Sequence, residues 1–237
     1  MRDTNQSNQS MQSSEKFSSC KQVIIGRNSH IWSVISKSKQ INTLGFQAIS
    51  HNEVEDFTFS PLDTVWVLSY SRIPTENEYI LKYLRDSGVS KVVYITSAST
   101  NIADITNCYE YPQVKCLAHQ AARKICDAEI LSIGLFYSEK NELPSGKTMA
   151  TSANELITFM LNPCWSTRAE LTALFQPIER PFRSSLEKGL FTLYGKLQKI
   201  CGPYPCLLRP VDVILRAFNM RWYGYLYLSN QLWFTTI

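Results

Sequence analysis

The sequence predicts an α/β fold in which a doubly wound parallel sheet carries helices on both faces. Three observations support this prediction. Short, continuous apolar runs recur along much of the 237-residue chain. Amphipathic stretches with helical spacing separate them, and Gly or Pro marks many of the boundaries. Continuous apolar strands are typical of parallel sheets, because crossover helices bury both of their faces.

The predicted strands are short and rich in β-branched residues, as buried strands are. The first strand ends at Gly26. Only about fourteen residues separate the second strand from the third, which is short for a complete βα unit. We therefore expect one βα unit to be shortened or missing there. The strand candidates are residues 21–25, 46–49, 64–68, 91–97 and 129–136.

Helices are predicted between the strands from apolar residues that recur every three or four positions. Pro74 opens one helix, where its missing N–H costs nothing, and Gly88 follows the end of that helix. Pro112 lies near the start of another helix. Beyond residue 143 the strand–helix alternation gives way to further helices. The predicted helices cover about 29–39, 74–87, 112–125, 153–161, 168–175 and 184–200.

Composition divides the chain into three parts. Residues 1–19 are polar and low in complexity, which predicts a disordered tail without the apolar segment of a secretory signal. Residues 20–162 form the predicted α/β domain. Residues 163–237 are expected to form a smaller, mostly helical and aromatic subdomain that binds substrate or a partner. No run approaches the ~18 apolar residues that a membrane-spanning helix needs.

The formal net charge of +4 is unevenly distributed. From residue 163 onward, nine Lys and Arg stand against four Asp and Glu. This excess is typical of an anionic partner, such as a phosphate-bearing substrate or an anionic lipid surface, and an ordinary solvated face is an equal alternative. The Trp- and Tyr-rich end fits a strand pair, a peripheral membrane patch or a homo-oligomer interface. No nucleic-acid-binding motif accompanies the basic residues, so nucleic acid is not an expected partner.

The cysteines and histidines do not have the spacing of ligands in a structural metal site. The seven cysteines form no CxxC pair, and the chain has three histidines. We expect no metal site and no disulfide framework, and a reducing, cytoplasmic location.

The turn after the first strand is a candidate cofactor site. A dinucleotide-binding turn carries glycines three residues apart, so that the backbone can approach the pyrophosphate. Here Gly26 occupies the first position, and Ser29 and Trp32 replace the other two. Gly26, Arg27 and Ser29 are the predicted contacts, and Arg27 suits the 2′-phosphate of NADP. Because no acid directly follows the second strand, NADP is slightly favoured over NAD. A plain strand–turn–helix is the alternative.

Tyr111 and Lys115 are the candidate catalytic pair. Residues four apart share one face of a helix. A lysine ammonium near a phenol lowers the phenol pKa from its usual value of about 10, which suits proton exchange with a substrate oxygen. The pair follows the strand that ends at Ser97. Because ligands bind at the carboxyl ends of parallel strands, Ser97 is expected to bond the reacting oxygen, with Ser99 as a second candidate.

The segment Thr96-Ser97, followed by Tyr111-Pro-Gln-Val-Lys115, resembles the Ser-Tyr-Lys set of the short-chain dehydrogenases/reductases. The strand at 62–68, the helix and strand at 77–97 and the segment 130–137 are similar to the NAD-dependent epimerase/dehydratase branch of that superfamily. The resemblance covers roughly residues 21–161. After about residue 163 there is no match.

This resemblance implies a Rossmann-type domain, a bound NADP or NAD and a nucleotide-sugar substrate, as in polysaccharide biosynthesis. Tyr111 would be the general acid/base, Lys115 would lower the Tyr111 pKa and hold the nicotinamide ribose, and Ser97 would orient the substrate oxygen. Gly26 would face the pyrophosphate. The loss of two glycines leaves a competing hypothesis, a non-catalytic dinucleotide-sensing or scaffold protein on the same fold. A peripheral membrane partner in glycan assembly is a third.

Overall fold

A computed structural model describes residues 20–103, 110–163, 171–189, 192–193 and 196. The predicted tail at 1–19 and the aromatic C-terminal end lie outside the described residues. The elements are, in chain order, β1 (Gln22–Ile25), α1 (His30–Ile35), α2 (Lys39–Thr43), β2 (Gln47–Ile49), β3 (Thr64–Val67), α3 (Pro74–Asp86), β4 (Lys91–Ser97), α4 (Glu110–Cys126), β5 (Glu129–Ile133), β6 (Leu135–Tyr137), β7 (Gly146–Ser152), α5 (Ala153–Leu161), β8 (Thr172–Leu174) and β9 (Gln176–Arg180).

Six parallel strands form the main sheet, in the order β2-β1-β3-β4-β5-β8. The chain starts at β1, turns outward to β2 and then crosses back to β3 on the other side of β1. This change of direction creates a switch point at the carboxyl ends of β1 and β3. The predicted doubly wound α/β fold is confirmed. Strand β8 lies beyond residue 162, so the sheet includes part of the segment that the sequence assigns to the C-terminal subdomain.

Apolar side chains cover both faces of this sheet. On one face, Leu81 and Leu84 of α3 and Ala118 and Ala122 of α4 pack against alternate sheet residues. On the other face, α1, α2 and α5 pack against the remaining ones through residues such as Leu156. The four central strands β1, β3, β4 and β5 are buried on both sides, which explains why their sequences read as continuous apolar runs.

The segment between β2 and β3 replaces the missing βα unit. Only β2 lies beyond β1 on that side of the described sheet. A short 3₁₀ turn at His51–Glu53 and a loop occupy the space, and Val54 and Phe59 enter the core. The Tyr83 hydroxyl of α3 donates to the Glu55 carbonyl at 2.9 Å. The loop therefore packs on α3 where a strand and a helix would otherwise lie.

The helix predicted at 29–39 is two short helices. Ser36 ends α1, and Ser38 adopts an extended conformation before α2 begins. Serine competes for backbone hydrogen bonds, and this favours helix ends over interiors. The apolar spacing survives the break, because Ile35 and Ile41 both enter the core.

The strand predicted at 129–136 is also divided. Gly134 separates β5 from β6, which belongs to a second, three-stranded sheet in the order β6-β7-β9. The Gly134 N–H donates to Thr151 Oγ1 at 2.9 Å. A Cβ at Gly134 would lie 2.4 Å from the Met149 carbonyl oxygen. The close approach of β7 thus requires glycine at this bend.

The helix predicted at 168–175 is wrong where the chain is described. Residues 172–174 form β8, which pairs in parallel with β5. The Leu174 carbonyl accepts a hydrogen bond from Thr151 Oγ1, which ties the two sheets together. This pairing overrides the weak helical pattern. Helical conformation does occur at residues 185–189, within the predicted helix 184–200.

Among the helices of the described ranges, none combines the length and the apolar composition that crossing a bilayer requires.

Candidate active site

The glycine turn lies at the carboxyl end of β1. Gly26 has φ +120°, and a Cβ at this position would lie 2.7 Å from Ser69 Oγ and 3.1 Å from the Ser69 backbone nitrogen. The N–H groups of Gly26 and Arg27 donate to the Ile49 carbonyl at 2.9 and 3.0 Å. The Gly26 backbone therefore packs directly against Ser69 at the switch point. A side chain at Gly26 would collide with Ser69.

Arg27 and Ser29 continue this turn. Ser29 is the N-cap of α1 and accepts from the Trp32 N–H at 3.1 Å. The Arg27 guanidinium contacts Glu53 Oε1 at 2.5 Å, and both side chains are exposed. A hydrogen bond from the Ser50 backbone, and then the neighbouring Arg27, lower the pKa of Glu53. An acidic side chain thus lies beside Arg27 after β2, although none follows the strand directly in sequence.

Ser97 and Ser99 lie at the carboxyl end of β4. Ser97 Oγ accepts from the Ser99 N–H at 3.2 Å and from the Ser99 hydroxyl at 2.9 Å. Ser97 is half-buried and Ser99 is buried. Ser97 is the more exposed of the two at the edge of the sheet, and Ser99 supports it.

Tyr111 and Lys115 lie on α4, which runs antiparallel to β4 because it connects two parallel strands. Lys115 Nζ donates to the Ile95 carbonyl at 3.4 Å. Tyr111 is four residues earlier, or about 6 Å nearer the helix start. That distance equals about two residues of a strand. Tyr111 therefore lies nearer the carboxyl edge of the sheet than Lys115 does, and it is 40% exposed.

Two aromatic rings cover Lys115. Its Nζ lies 4.3 Å from the centre of the Tyr70 ring and 5.6 Å from that of Tyr94. Tyr70 in turn meets the Tyr111 ring edge to face, with centroids 5.6 Å apart. Lys115 is 5% exposed, and this burial lowers its pKa to about 7. The amine is thus held under Tyr70, next to the face that carries Tyr111.

Polar groups are buried beside this lysine. The Tyr94 hydroxyl and Thr96 Oγ1 have no hydrogen-bond partner among the described residues. Burial raises the pKa of Tyr94, and so do the nearby phenols of Tyr111 and Tyr70. Unpaired buried hydroxyls are costly, so they mark a place where the protein has not optimised stability.

His51 and Ser69 meet at the switch point, with Nε2 and Oγ 2.6 Å apart. Burial lowers the pKa of His51; the Ser69 backbone and Glu76 raise it, and Lys115 lowers it. A cavity of about 340 Å³ opens beside the imidazole. Its lining residues are His51, Asn52, Glu55, Thr75, Glu76, Tyr79 and Ile80.

Sequence reasoning missed His51, Ser69, Tyr70 and Tyr94. Ser69 and Tyr70 directly follow the predicted third strand, so the rule that ligands bind at carboxyl ends of strands selects them. His51 follows the second strand and is selected in the same way. Tyr94 lies within a strand, and no signal in the sequence distinguishes it from an ordinary core tyrosine.

Comparison with known proteins shows similarity of structure only. No family model matches the chain. No curated protein matches it in sequence either.

Solved structures of similar fold were found. A dTDP-4-dehydrorhamnose reductase from Bacillus anthracis, in complex with NADP, has a TM-score of 0.50 at 10% identity over 74% of this chain and 81% of that one. An NAD-dependent NDP-hexosamine 5,6-dehydratase of tunicamycin biosynthesis has a TM-score of 0.53 at 9% identity, over 76% and 81%. A short-chain dehydrogenase/reductase superfamily protein from Agrobacterium tumefaciens, with bound NAD, has a TM-score of 0.51 at 11% identity, over 76% and 83%. The chain has the Rossmann-type fold of these proteins.

Proposed function

We propose that this chain is a divergent short-chain dehydrogenase/reductase that uses NADP or NAD to oxidise, reduce or epimerise a nucleotide sugar. The observation that carries the proposal is a juxtaposition at one edge of the sheet. The Gly26 turn after β1 and the Ser97 hydroxyl at the end of β4 lie at the carboxyl edge of the sheet, with β3 between the two strands. The partly exposed Tyr111 contacts Tyr70, which follows β3. The similar solved structures include a nucleotide-sugar reductase and a dehydratase, and this supports the substrate class.

The Gly26 turn fits a dinucleotide. A Cβ at Gly26 would collide with Ser69, so glycine lets the turn keep its place at the carboxyl end of β1, where a pyrophosphate would lie. Gly26 would face that group, Ser29 would bond it, and Arg27 would lie near the adenosine ribose. When bound, the nicotinamide supplies a hydride acceptor or donor. The protein contributes binding, orientation and proton transfer.

Tyr111 would exchange a proton with the substrate oxygen, and Ser97 would hold that oxygen through a hydrogen bond. Lys115 would stabilise the Tyr111 phenolate and bind the nicotinamide ribose. In the described conformation Tyr70 covers the amine. Contact between Lys115 and a ribose hydroxyl therefore requires the Tyr70 ring to move aside.

The enzymatic proposal is tested with purified full-length chain, each reduced and oxidised dinucleotide and a panel of nucleotide sugars. We expect one of the sugars to change the dinucleotide absorbance or, for an epimerisation, which returns the dinucleotide to its starting state, to give a new sugar isomer. Dinucleotide binding without turnover of any sugar tested would favour the non-catalytic alternative.

Glu53 is predicted to set the choice between NADP and NAD. We expect Glu53→Gln to free the Arg27 guanidinium for the 2′-phosphate and to strengthen NADP binding about two- to fivefold, since an exposed ion pair is weak. NAD binding should weaken or stay constant. Dissociation constants measured by calorimetry check this, with Arg27→Ala as the opposite variant, which should lose NADP affinity. Equal effects of Glu53→Gln on both cofactors would contradict the assignment.

A non-catalytic dinucleotide-sensing or scaffold role is the second candidate. The burial of Lys115 beneath Tyr70 and the replacement of two turn glycines favour it. The two candidates share the bound dinucleotide and differ in turnover. A peripheral membrane contact through the basic, aromatic residues beyond 163 and a homo-oligomer are further proposals. Sedimentation with anionic liposomes, with and without residues 184–237, tests the first, and light scattering tests the second.

A further inference from the structure

The contact between His51 and Ser69 crosses the switch point of the sheet. His51 follows β2 and Ser69 follows β3, while β1 lies between these two strands. Side chains that meet at 2.6 Å from either side must therefore do so in front of the carboxyl end of β1. That end is the Gly26 turn.

The same hydroxyl lies against the turn itself. Ser69 Oγ would be 2.7 Å from a Cβ on Gly26. The imidazole is thus separated from the bare backbone of the turn by a single hydroxyl group. A phosphate bound in front of this turn would therefore lie near the imidazole.

The charges around His51 have both signs. Glu76 of α3 raises its pKa and Lys115 of α4 lowers it, while burial is the largest influence and also lowers it. Glu55 and Glu76 line the adjoining cavity, and among its described lining residues His51 alone can become cationic. The carboxylates disfavour a phosphate inside this cavity. An anion at the turn would instead favour the protonated imidazole.

We propose that His51, held by Ser69, binds the pyrophosphate of the dinucleotide and takes up a proton as it does so. The inference rests on the proposed function and adds a residue and a pH dependence to it. Protonated imidazole has two N–H donors. One can bond Ser69 Oγ while the other bonds a phosphate oxygen. The proton comes from solvent, and no covalent bond is made or broken.

The sign of the pH dependence follows from this linkage. In the free protein the pKa of His51 is lowered, and a bound phosphate raises it. The dinucleotide therefore binds more tightly as the pH falls through the pKa of the bound state. Affinity becomes constant above that pKa, where neither state is protonated.

Calorimetry of NADH and NADPH in buffers of different ionisation enthalpy measures the protons taken up on binding. We expect the full-length wild type to take up a fraction of a proton near about pH 6.5. His51→Gln should abolish this uptake and weaken binding about tenfold, because hydrogen bonds to charged groups are strong. Ser69→Ala should reduce the uptake. His119→Gln, on α4, is the matched control and should leave it unchanged. The 2′-phosphate of NADPH can also take up protons, but it does so equally with wild type and with His51→Gln. Subtracting the proton uptake of the variant from that of wild type therefore cancels this contribution.

Three results would overturn the inference. Tight binding without proton uptake would refute it and leave the dinucleotide function intact. Proton uptake that persists in folded His51→Gln would show that a group other than His51 takes up the proton. Failure of folded wild type to bind any dinucleotide would refute both the inference and the proposed function.

Discussion

Tyr111→Phe is expected to lower kcat about 100- to 1,000-fold, while the dissociation constant of the dinucleotide stays unchanged. The phenol hydroxyl is the only part of the side chain that the substitution removes. A positioned general acid/base contributes about this much to a rate. The side chain is 40% exposed at the edge of the sheet, so its loss should cost little stability. Steady-state turnover of the responsive nucleotide sugar measures the effect.

Tyr83→Phe is the matched control, because Tyr83 lies on α3 and its hydroxyl bonds the Glu55 carbonyl, away from Ser97. It should retain turnover. The pH profile of kcat adds a second readout, since the wild-type profile should show an ionisation that Tyr111→Phe lacks. Equal turnover in Tyr111→Phe and wild type would remove Tyr111 from the chemistry.

Lys115→Met is expected to stabilise the free protein, most strongly at and below pH 7. Burial lowers the Lys115 pKa from its ordinary value of 10.5 to about 7. Between these values the unfolded chain binds a proton that the folded chain does not, so wild-type stability rises with pH. Below about pH 7 the folded chain must bury a charged amine. Methionine fills a similar volume without that cost.

The stability gap between Lys115→Met and wild type should narrow by roughly 2 kcal/mol from about pH 7 to about pH 9, at 1.36 kcal/mol per pKa unit. Urea unfolding at a series of pH values measures this. Lys82→Met is the matched control, because Lys82 is exposed and pairs with Glu78 in the same helix. A gap that is independent of pH would contradict the buried, weakly basic amine. Stabilisation with loss of turnover would mean that the lysine is kept for function.

The sequence predicts the main sheet well because its strands are buried on both sides. A continuous apolar run such as 91–97 is typical of a strand that helices cover on both faces. The predictions fail where tertiary contacts decide. Gly134 bends the chain because β7 passes against it, and residues 172–174 become a strand because the edge of β5 is available. Neither partner can be seen from the local pattern.

The sequence likewise predicts some residues of the candidate site and misses others. Gly26, Ser97 and Tyr111 follow from their positions at strand and helix ends, and the structure brings them to one edge. The two tyrosines that cover Lys115 cannot be predicted in this way, since Tyr70 reaches it from the loop after β3 and Tyr94 from β4. The pair formed by Arg27 and Glu53 joins residues 26 positions apart. Contacts across the sheet of this kind depend on strand order, which local spacing leaves open.

Calorimetric titration with NADPH, NADH and their oxidised forms tests the central claim, that the Gly26 turn binds a dinucleotide. We expect one redox pair to bind wild type. Gly26→Ala should weaken binding at least about tenfold, since a Cβ there collides with Ser69 and would displace the turn that is proposed to face the pyrophosphate. Gly45→Ala is the matched control, because Gly45 also has positive φ but its Cβ would meet nothing within 4 Å. It should carry a backbone cost of ~1–3 kcal/mol and still bind. Absence of binding by folded wild type, or equal binding by Gly26→Ala, would contradict the claim.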